Sequence, residues 1–245
     1  ALQELRIFQL IFELLGKTKW KGIYSRTMMA EQFNNRVLPF NEKLDNYVAR
    51  CYIKNIDEVI KKFTPRGINV IWIEPVCNLI DMPPFKGLND VKFSNHIVSY
   101  YNSIILKKKS EVEKIENELK KLSEIEKNAN FIYLKALKEY YLEPQPKLDS
   151  FIKAKDEDIV PFRVRSPITK AIKNYIDLHK NQYLHYIPLQ NRIEENFGVA
   201  GFGNNFFIDH LHFNFRGHTL MASIIAQKIA DIYNFSENER KKVIE

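Results

Sequence analysis

Residues 68–74 read Ile-Asn-Val-Ile-Trp-Ile-Glu, a β-branched run that is nearly continuous in apolar character. Such a run is typical of a short strand that is covered on both faces, as in a parallel sheet. A helix is predicted over residues 41–63, just before this strand, and residues 64–67, Thr-Pro-Arg-Gly, are expected to end it. The apolar stripe of that helix is predicted at Leu44, Val48, Cys51, Tyr52, Val59, Ile60 and Phe63. Helix, turn and buried strand make one unit of an α/β fold with a parallel sheet.

A second strand of this kind is predicted near the C-terminus. Residues 183–187 read Tyr-Leu-His-Tyr-Ile, and the helix before them is expected to have Ser166 as its N-cap and Pro167 as its first residue. After His218, apolar residues recur at helical spacing and predict a helix that packs on the sheet. The chain therefore has the pattern of a mainly parallel α/β domain.

A charged helical segment separates the two predicted strands, at about residues 97–146. Ser110 and Glu113 have the spacing of a capping box for a first helix, and a second apolar helix is predicted over residues 129–141. Pro144 and Pro146 are expected to end it. We interpret the segment as a helical hairpin inserted into a single domain that spans residues 1–245, with packing, a lid or a partner surface as its possible roles.

Composition excludes several classes of protein. The chain has 245 residues, of which 45% are hydrophobic and 13% aromatic, which suffices for a buried core. The formal charge of +7 is spread along the chain, and residues 107–109 are its only compact lysine run, so a solvated surface is favoured and no nucleic-acid partner is expected. Charged residues interrupt the apolar run at residues 1–16, which favours a half-buried helix over a membrane span. Cys51 and Cys77 match neither a metal site nor a disulfide framework.

Residues 206–218 hold three of the six histidines, and Asp209 lies three residues before His212. At this spacing the carboxylate can turn back and accept the Nδ1 proton of the imidazole, which leaves Nε2 free to take a proton from a nucleophile. Capping of the following helix by Asp209 is the structural alternative. The spacing makes Asp209 and His212 candidate catalytic residues.

A metal site is a second interpretation of the same stretch. It would use Asp209, His210, His212 and His218, but no further cluster of ligands elsewhere in the sequence supports it. Hydrogen bonding or core packing is the simpler role for His210 and His218. We therefore expect neither a metal nor a cofactor.

Two residues outside this stretch are candidates for binding substrate. Asn78 follows the first strand, where sites of parallel sheets are found. The alternative is that the side chains of Asn78 and Asp81 bond their own backbone. Arg163 has the geometry to hold a carboxylate or another anion. A structural salt bridge to Asp156 or Asp158 is its alternative.

The apolar run at residues 206–208, the stretch from Asp209 to His212, and Gly217-His218 before an apolar helix resemble the last motif block of the SGNH (GDSL-like) hydrolases. Asn78-Leu79 before Pro83-Pro84-Phe85 is similar to a subset of that family. Phe162-Arg163, which follows the acidic cluster Asp156-Glu157-Asp158, is similar to the same subset.

The resemblance implies a three-layer α/β sandwich with a mainly parallel sheet, incomplete at its N-terminus. It also implies a serine esterase, with carbohydrate acetyl groups as one class of target, in which Asp209 and His212 belong to the triad. The expected partner is an ester or acylated carbohydrate. The expected location is the cell envelope or the extracytoplasmic side.

The nucleophile block of that family is not found in this sequence. None of the ten serines lies in a Gly-Asp-Ser or Gly-x-Ser turn, and no segment resembles the family's oxyanion-hole Gly block or its Gly-x-Asn block. We expect these residues in an upstream segment, so the chain alone should be inactive. The alternative is a non-catalytic SGNH-like binding or assembly module that uses the helical hairpin.

Overall fold

Two parallel strands form the sheet in the part of the chain that the computed structural model describes, which is residues 37–122, 124–142 and 146–244. Strand β1 is Val70–Ile73 and strand β2 is Leu184–Ile187. Val70 lies opposite Leu184, and Ile73 lies opposite Ile187. Both predicted strands are confirmed at slightly shorter lengths, and the chain has a mixed α/β fold.

Helices make up most of the rest of these residues. In chain order they are α1 (Glu42–Phe63), α2 (Asp90–Ile105), α3 (Lys109–Lys120), α4 (Ala129–Leu142), α5 (Leu148–Asp156), α6 (Ser166–Leu178), α7 (Leu189–Phe197), α8 (Phe215–Ile232) and α9 (Glu237–Ile244). Short 3-10 turns lie at Thr64–Arg66, Ile125–Lys127 and Val199–Phe202. None of the helices described has the length and apolar character needed to cross a membrane. The helix predicted within residues 1–16 lies outside the described residues.

Both ends of α1 follow the sequence prediction. The Asn41 side chain accepts the N–H of Leu44 at 3.1 Å and so satisfies one free donor of the first turn. At the other end, Gly67 has a φ of 72°, a left-handed conformation that a residue with a Cβ adopts only with strain. The chain can therefore leave the helix and enter β1 within a few residues.

The predicted apolar stripe of α1 is wrong. Of its members Ile60 is buried, whereas Leu44, Val48, Tyr52 and Val59 are exposed. The residues that face the protein are Asp45, Ala49, Ile56 and Ile60. This face is selected by long-range contacts, because Ile56 and Ile60 pack with Ile172 and Ile176 of α6 and Asp45 pairs with the buried Arg165.

Alternate residues of β1 pack into two different hydrophobic clusters. Val70 and Trp72 contact the cluster that α1 and α6 form around Ile176 and Leu184. Ile71 and Ile73 contact a larger cluster to which α2, α4, α5 and α7 contribute. The strand is therefore covered on both faces, as its continuous apolar sequence predicts.

The helical segment between the strands is longer than predicted. It begins with α2 at Asp90, rather than near residue 97, and α4 packs against both α2 and α5. The predicted capping box at Ser110 is wrong, since Lys108 is the N-cap of α3 and no side chain caps it. Lys107, with a φ of 55°, reverses the chain after α2 and starts α3 before Ser110. Helix α6 likewise begins one residue earlier than predicted, with Arg165 at its N-cap.

Candidate acid–base site

Asp209 and His212 form one hydrogen-bonded turn between the end of the Val199–Phe202 segment and α8. Oδ1 of Asp209 accepts the backbone N–H groups of Leu211 and His212, both at 2.8 Å. Oδ2 lies 2.7 Å from Nδ1 of His212. The carboxylate therefore fixes the backbone of the turn and the orientation of the ring at the same time.

The charge of Asp209 determines which ring nitrogen carries the proton. Burial on its own raises the pKa of this carboxyl, but the donors from His212 and Leu211 outweigh it and lower the pKa to about 2. At neutral pH the group is ionised, and an ionised carboxylate only accepts hydrogen bonds. Nδ1 of a neutral His212 must therefore be the protonated nitrogen, and Nε2 carries the lone pair.

Nε2 of His212 is uncommitted. The side chain is 73% exposed, and no group among the described residues makes a hydrogen bond to Nε2. The hydrogen bonds of that part of the chain include none between a serine hydroxyl and the ring. This nitrogen can accept a proton from a group that approaches from outside the turn.

The turn is held at its base by a short antiparallel contact. Phe207 and Phe213 form an isolated β-bridge, and their rings stack with centroids 4.9 Å apart. The N–H of Asn214 donates to the carbonyl of Phe206, and the side chain of Asn214 accepts the N–H of Gly217 as the N-cap of α8. Helix α8 thus starts at a fixed position beside the turn.

Gly217 is required because two parts of this site approach each other closely. A Cβ on Gly217 would lie 2.2 Å from the carbonyl oxygen of Phe206 and 2.5 Å from a ring atom of Phe213. The start of α8 therefore packs directly on the two segments that the bridge joins. This explains the glycine of the Gly-His pair without any role in chemistry.

Asn78 lies next to the turn, but its side chain faces the protein. Its backbone N–H donates to the carbonyl of His210 at 3.0 Å, and the residue is fully buried. The side-chain amide donates to Oδ1 of Asn204 at 2.9 Å and accepts the N–H of Asp81 at 3.1 Å. In this geometry Asn78 positions the turn through its backbone.

Arg163 is buried against the loop that follows β1, which contains Asn78 and Met82. Its Nη1 donates to the carbonyls of Asn78 and Met82, at 3.1 and 2.9 Å. Its Nη2 lies 3.5 Å from Oδ2 of Asp158, so the structure shows the salt bridge that the sequence left as an alternative. The guanidinium therefore binds two carbonyls of this loop. The loop in turn contacts the turn through the hydrogen bond from the N–H of Asn78 to the carbonyl of His210.

The other two histidines of the stretch pack on aromatic rings. His210 stacks on Phe85 with ring centroids 3.9 Å apart, and burial, with the charge of Arg163, lowers its pKa. His218 packs edge-on against Phe213. Within the described ranges, no three His, Cys, Asp or Glu side chains lie close enough together to hold a metal ion.

Two asparagines that sequence reasoning missed help to build the site. Oδ1 of Asn204 accepts a hydrogen bond from the side-chain amide of Asn78. The backbone carbonyl of Asn204 accepts another from the side-chain amide of Asn214. Asn214 lies just before an apolar helix, so the preference of Asn for the N-cap position was a signal for it. Asn204 gives no such signal, because its partners are distant in sequence.

No family model, curated protein or solved structure matches this chain. The chemical capacity of the site follows from its own atoms. An ionised carboxylate holds an imidazole by Nδ1 and leaves Nε2 open, which is the arrangement of a general base that later acts as a general acid.

Proposed function

We propose that this chain supplies the Asp-His half of the catalytic triad of a serine ester hydrolase of the SGNH type. The observation that carries the proposal is the 2.7 Å contact between Oδ2 of Asp209 and Nδ1 of His212, whose side chain is exposed and whose Nε2 makes no hydrogen bond to the described residues. The coverage of β1 on both faces supports a three-layer α/β sandwich as the scaffold. The motif resemblance extends the proposal to esters of carbohydrates.

In this mechanism His212 works first as a base and then as an acid. Nε2 takes the proton of a serine hydroxyl as the oxygen attacks the ester carbonyl, and it returns that proton to the leaving alcohol. Asp209 keeps the ring in the Nδ1–H tautomer and stabilises the imidazolium that forms. Since no described serine makes a hydrogen bond to His212, the proposal places the nucleophile outside the described residues.

The first expected result is labelling of the full-length natural protein by a fluorophosphonate probe, which reacts with activated serines. His212→Ala should slow labelling by at least about 10²-fold, because the serine loses its base. The matched control is His179→Ala, since His179 is exposed and its ring stacks on Tyr175 of α6. Labelling is followed by gel fluorescence, and peptide mapping identifies the serine. Absence of labelling, or equal rates in all three proteins, would contradict the proposed function.

A further inference from the structure

A cavity of about 400 Å³ lies between the loop that follows β1 and helices α2 and α4. Its volume is within the range of small-molecule sites, roughly 300–1,000 Å³. The walls are mostly apolar, with Ile97 of α2, Leu134 and Leu137 of α4, and Ile80 of the loop among them. The cavity is distinct from the Asp209–His212 turn, none of whose residues lines it.

The mouth of the cavity exposes large apolar side chains together. Val98, Tyr101, Ile105 and Tyr141 are each at least 40% exposed, and all four line this one concavity. Single exposed apolar residues are normal, but a group around one concave surface marks a binding site. An apolar ligand would cover this group and remove its surface from water.

The polar atoms of the cavity indicate which ligand it suits. Among the described residues that line it, Asp81 is the single charged one, and none of them is Lys or Arg. The Tyr133 hydroxyl already donates to the carbonyl of Ile80, whereas the hydroxyls of Tyr101 and Tyr141 make no hydrogen bond within the described part of the chain. Hydroxyl donors without a partner favour a ligand with a hydrogen-bond acceptor, and the carboxylate of Asp81 disfavours an anion.

One wall of the cavity is formed by the loop that follows β1, which also supports the Asp209–His212 turn. Ile80 and Pro83 line the cavity, and Asn78 of the same loop donates to the carbonyl of His210. Asp81 also accepts the N–H of Asn204 at 2.7 Å. The cavity therefore has one rigid wall, which is held by hydrogen bonds to the turn and by Arg163.

We propose that this cavity is a binding site for an uncharged molecule with an aryl or acyl body and a carbonyl acceptor, which the hydroxyls of Tyr101 and Tyr141 recognise. The ligand inserts its apolar part between α2 and α4, against Ile97 and Leu134. This site is additional to the proposed esterase reaction. The two proposals can fail independently, because binding of the ligand is measured without turnover of an ester.

The test uses 6-propionyl-2-(dimethylamino)naphthalene, a neutral naphthyl ketone whose fluorescence changes when it leaves water. It is titrated into the full chain, and methyl NMR then locates it. Val98→Trp at the mouth of the cavity is compared with Val59→Trp on α1, since both valines are exposed positions of a helix. The anionic dye 1-anilinonaphthalene-8-sulfonate is titrated in parallel.

We expect saturable binding of the ketone that shifts the methyl resonances of Ile97, Leu134 and Leu137. Val98→Trp should raise the Kd at least about 10-fold by filling the mouth, and Val59→Trp should leave it unchanged. The anionic dye should bind more weakly than the ketone because of Asp81. The proposal is overturned if the ketone does not saturate, if the shifted methyls lie elsewhere, if the two valine variants behave alike, or if the anion binds more tightly.

Discussion

His212→Ala is expected to lower kcat for p-nitrophenyl acetate hydrolysis by the full-length protein by about 10⁴- to 10⁶-fold. The reason is that Nε2 of His212 is the open position from which a serine proton can be removed, while Nδ1 is committed to Asp209. KM should change little, because the imidazole acts mainly in the transition state. The ratio of the wild-type kcat to the variant kcat is obtained from initial rates at saturating ester, after the rate of background hydrolysis is subtracted.

Two variants separate the catalytic role from a structural one. His179→Ala changes an exposed histidine at the C-cap of α6 and should leave kcat within about 2-fold, since surface changes of this kind perturb the structure little. Asp209→Asn keeps the shape of the side chain but replaces the ionised acceptor, so kcat should fall about 10⁴-fold through the wrong tautomer. A His212→Ala enzyme that retains the wild-type kcat would exclude His212 as the base.

Arg163→Ala is expected to lower the free energy of unfolding by about 3–5 kcal/mol, as loss of one partner of a buried ion pair does. Arg163 is 3% exposed and Asp158 is 1% exposed, so the carboxylate would be left buried without its countercharge. The carbonyls of Asn78 and Met82 would also lose their donor. Urea denaturation measures the change as a lower midpoint at an unchanged slope.

The size of this effect should depend on pH. Burial raises the pKa of Asp158 above its ordinary value despite the donors that surround it, so the protonated form is favoured by folding and the ionised form costs stability. Removal of the Arg163 charge increases that cost. The deficit of Arg163→Ala should therefore increase as the pH rises and Asp158 ionises, and shrink as the pH falls and Asp158 is protonated.

The control for Arg163 is the exposed pair of Lys180 and Asp177. Their side chains are 70% and 42% exposed and lie 2.8 Å apart, so Lys180→Ala should cost less than about 1 kcal/mol. Equal losses for Lys180→Ala and Arg163→Ala would contradict the assignment of Arg163 to the support of the loop. A stable Arg163→Ala protein with weakened substrate binding would return Arg163 to the role of an anion ligand.

Some local interactions were predictable from the sequence, although the caps expected at Ser110 and Ser166 were not. The Asn41 cap joins residues three apart, and so does the contact between Asp209 and His212. At this separation the geometry of one turn fixes which atoms can meet. The two strands were predictable for a related reason, because a continuous apolar run has to be covered on both faces.

Interactions between distant residues were not predictable. Helix α1 has apolar residues on both of its sides, so periodicity alone does not decide which side is buried, and the contacts of Ile56 with α6 and of Asp45 with Arg165 decide it. The burial of Arg163 similarly depends on a loop 85 residues away in the chain. The sequence alone does not tell whether a charged residue such as Arg163 binds substrate or binds carbonyl groups of the backbone.

The measurement that tests the central claim most directly is the tautomer of His212, read from the ¹⁵N resonances of its ring. Spectra are recorded as the pH is raised until the ring signals no longer change, and His212→Ala assigns them. The Asp209 contact predicts a protonated Nδ1 and an unprotonated Nε2, and Asp209→Asn should shift the proton toward Nε2. A wild-type His212 with its proton on Nε2 would contradict the account, since that nitrogen could not then act as the base.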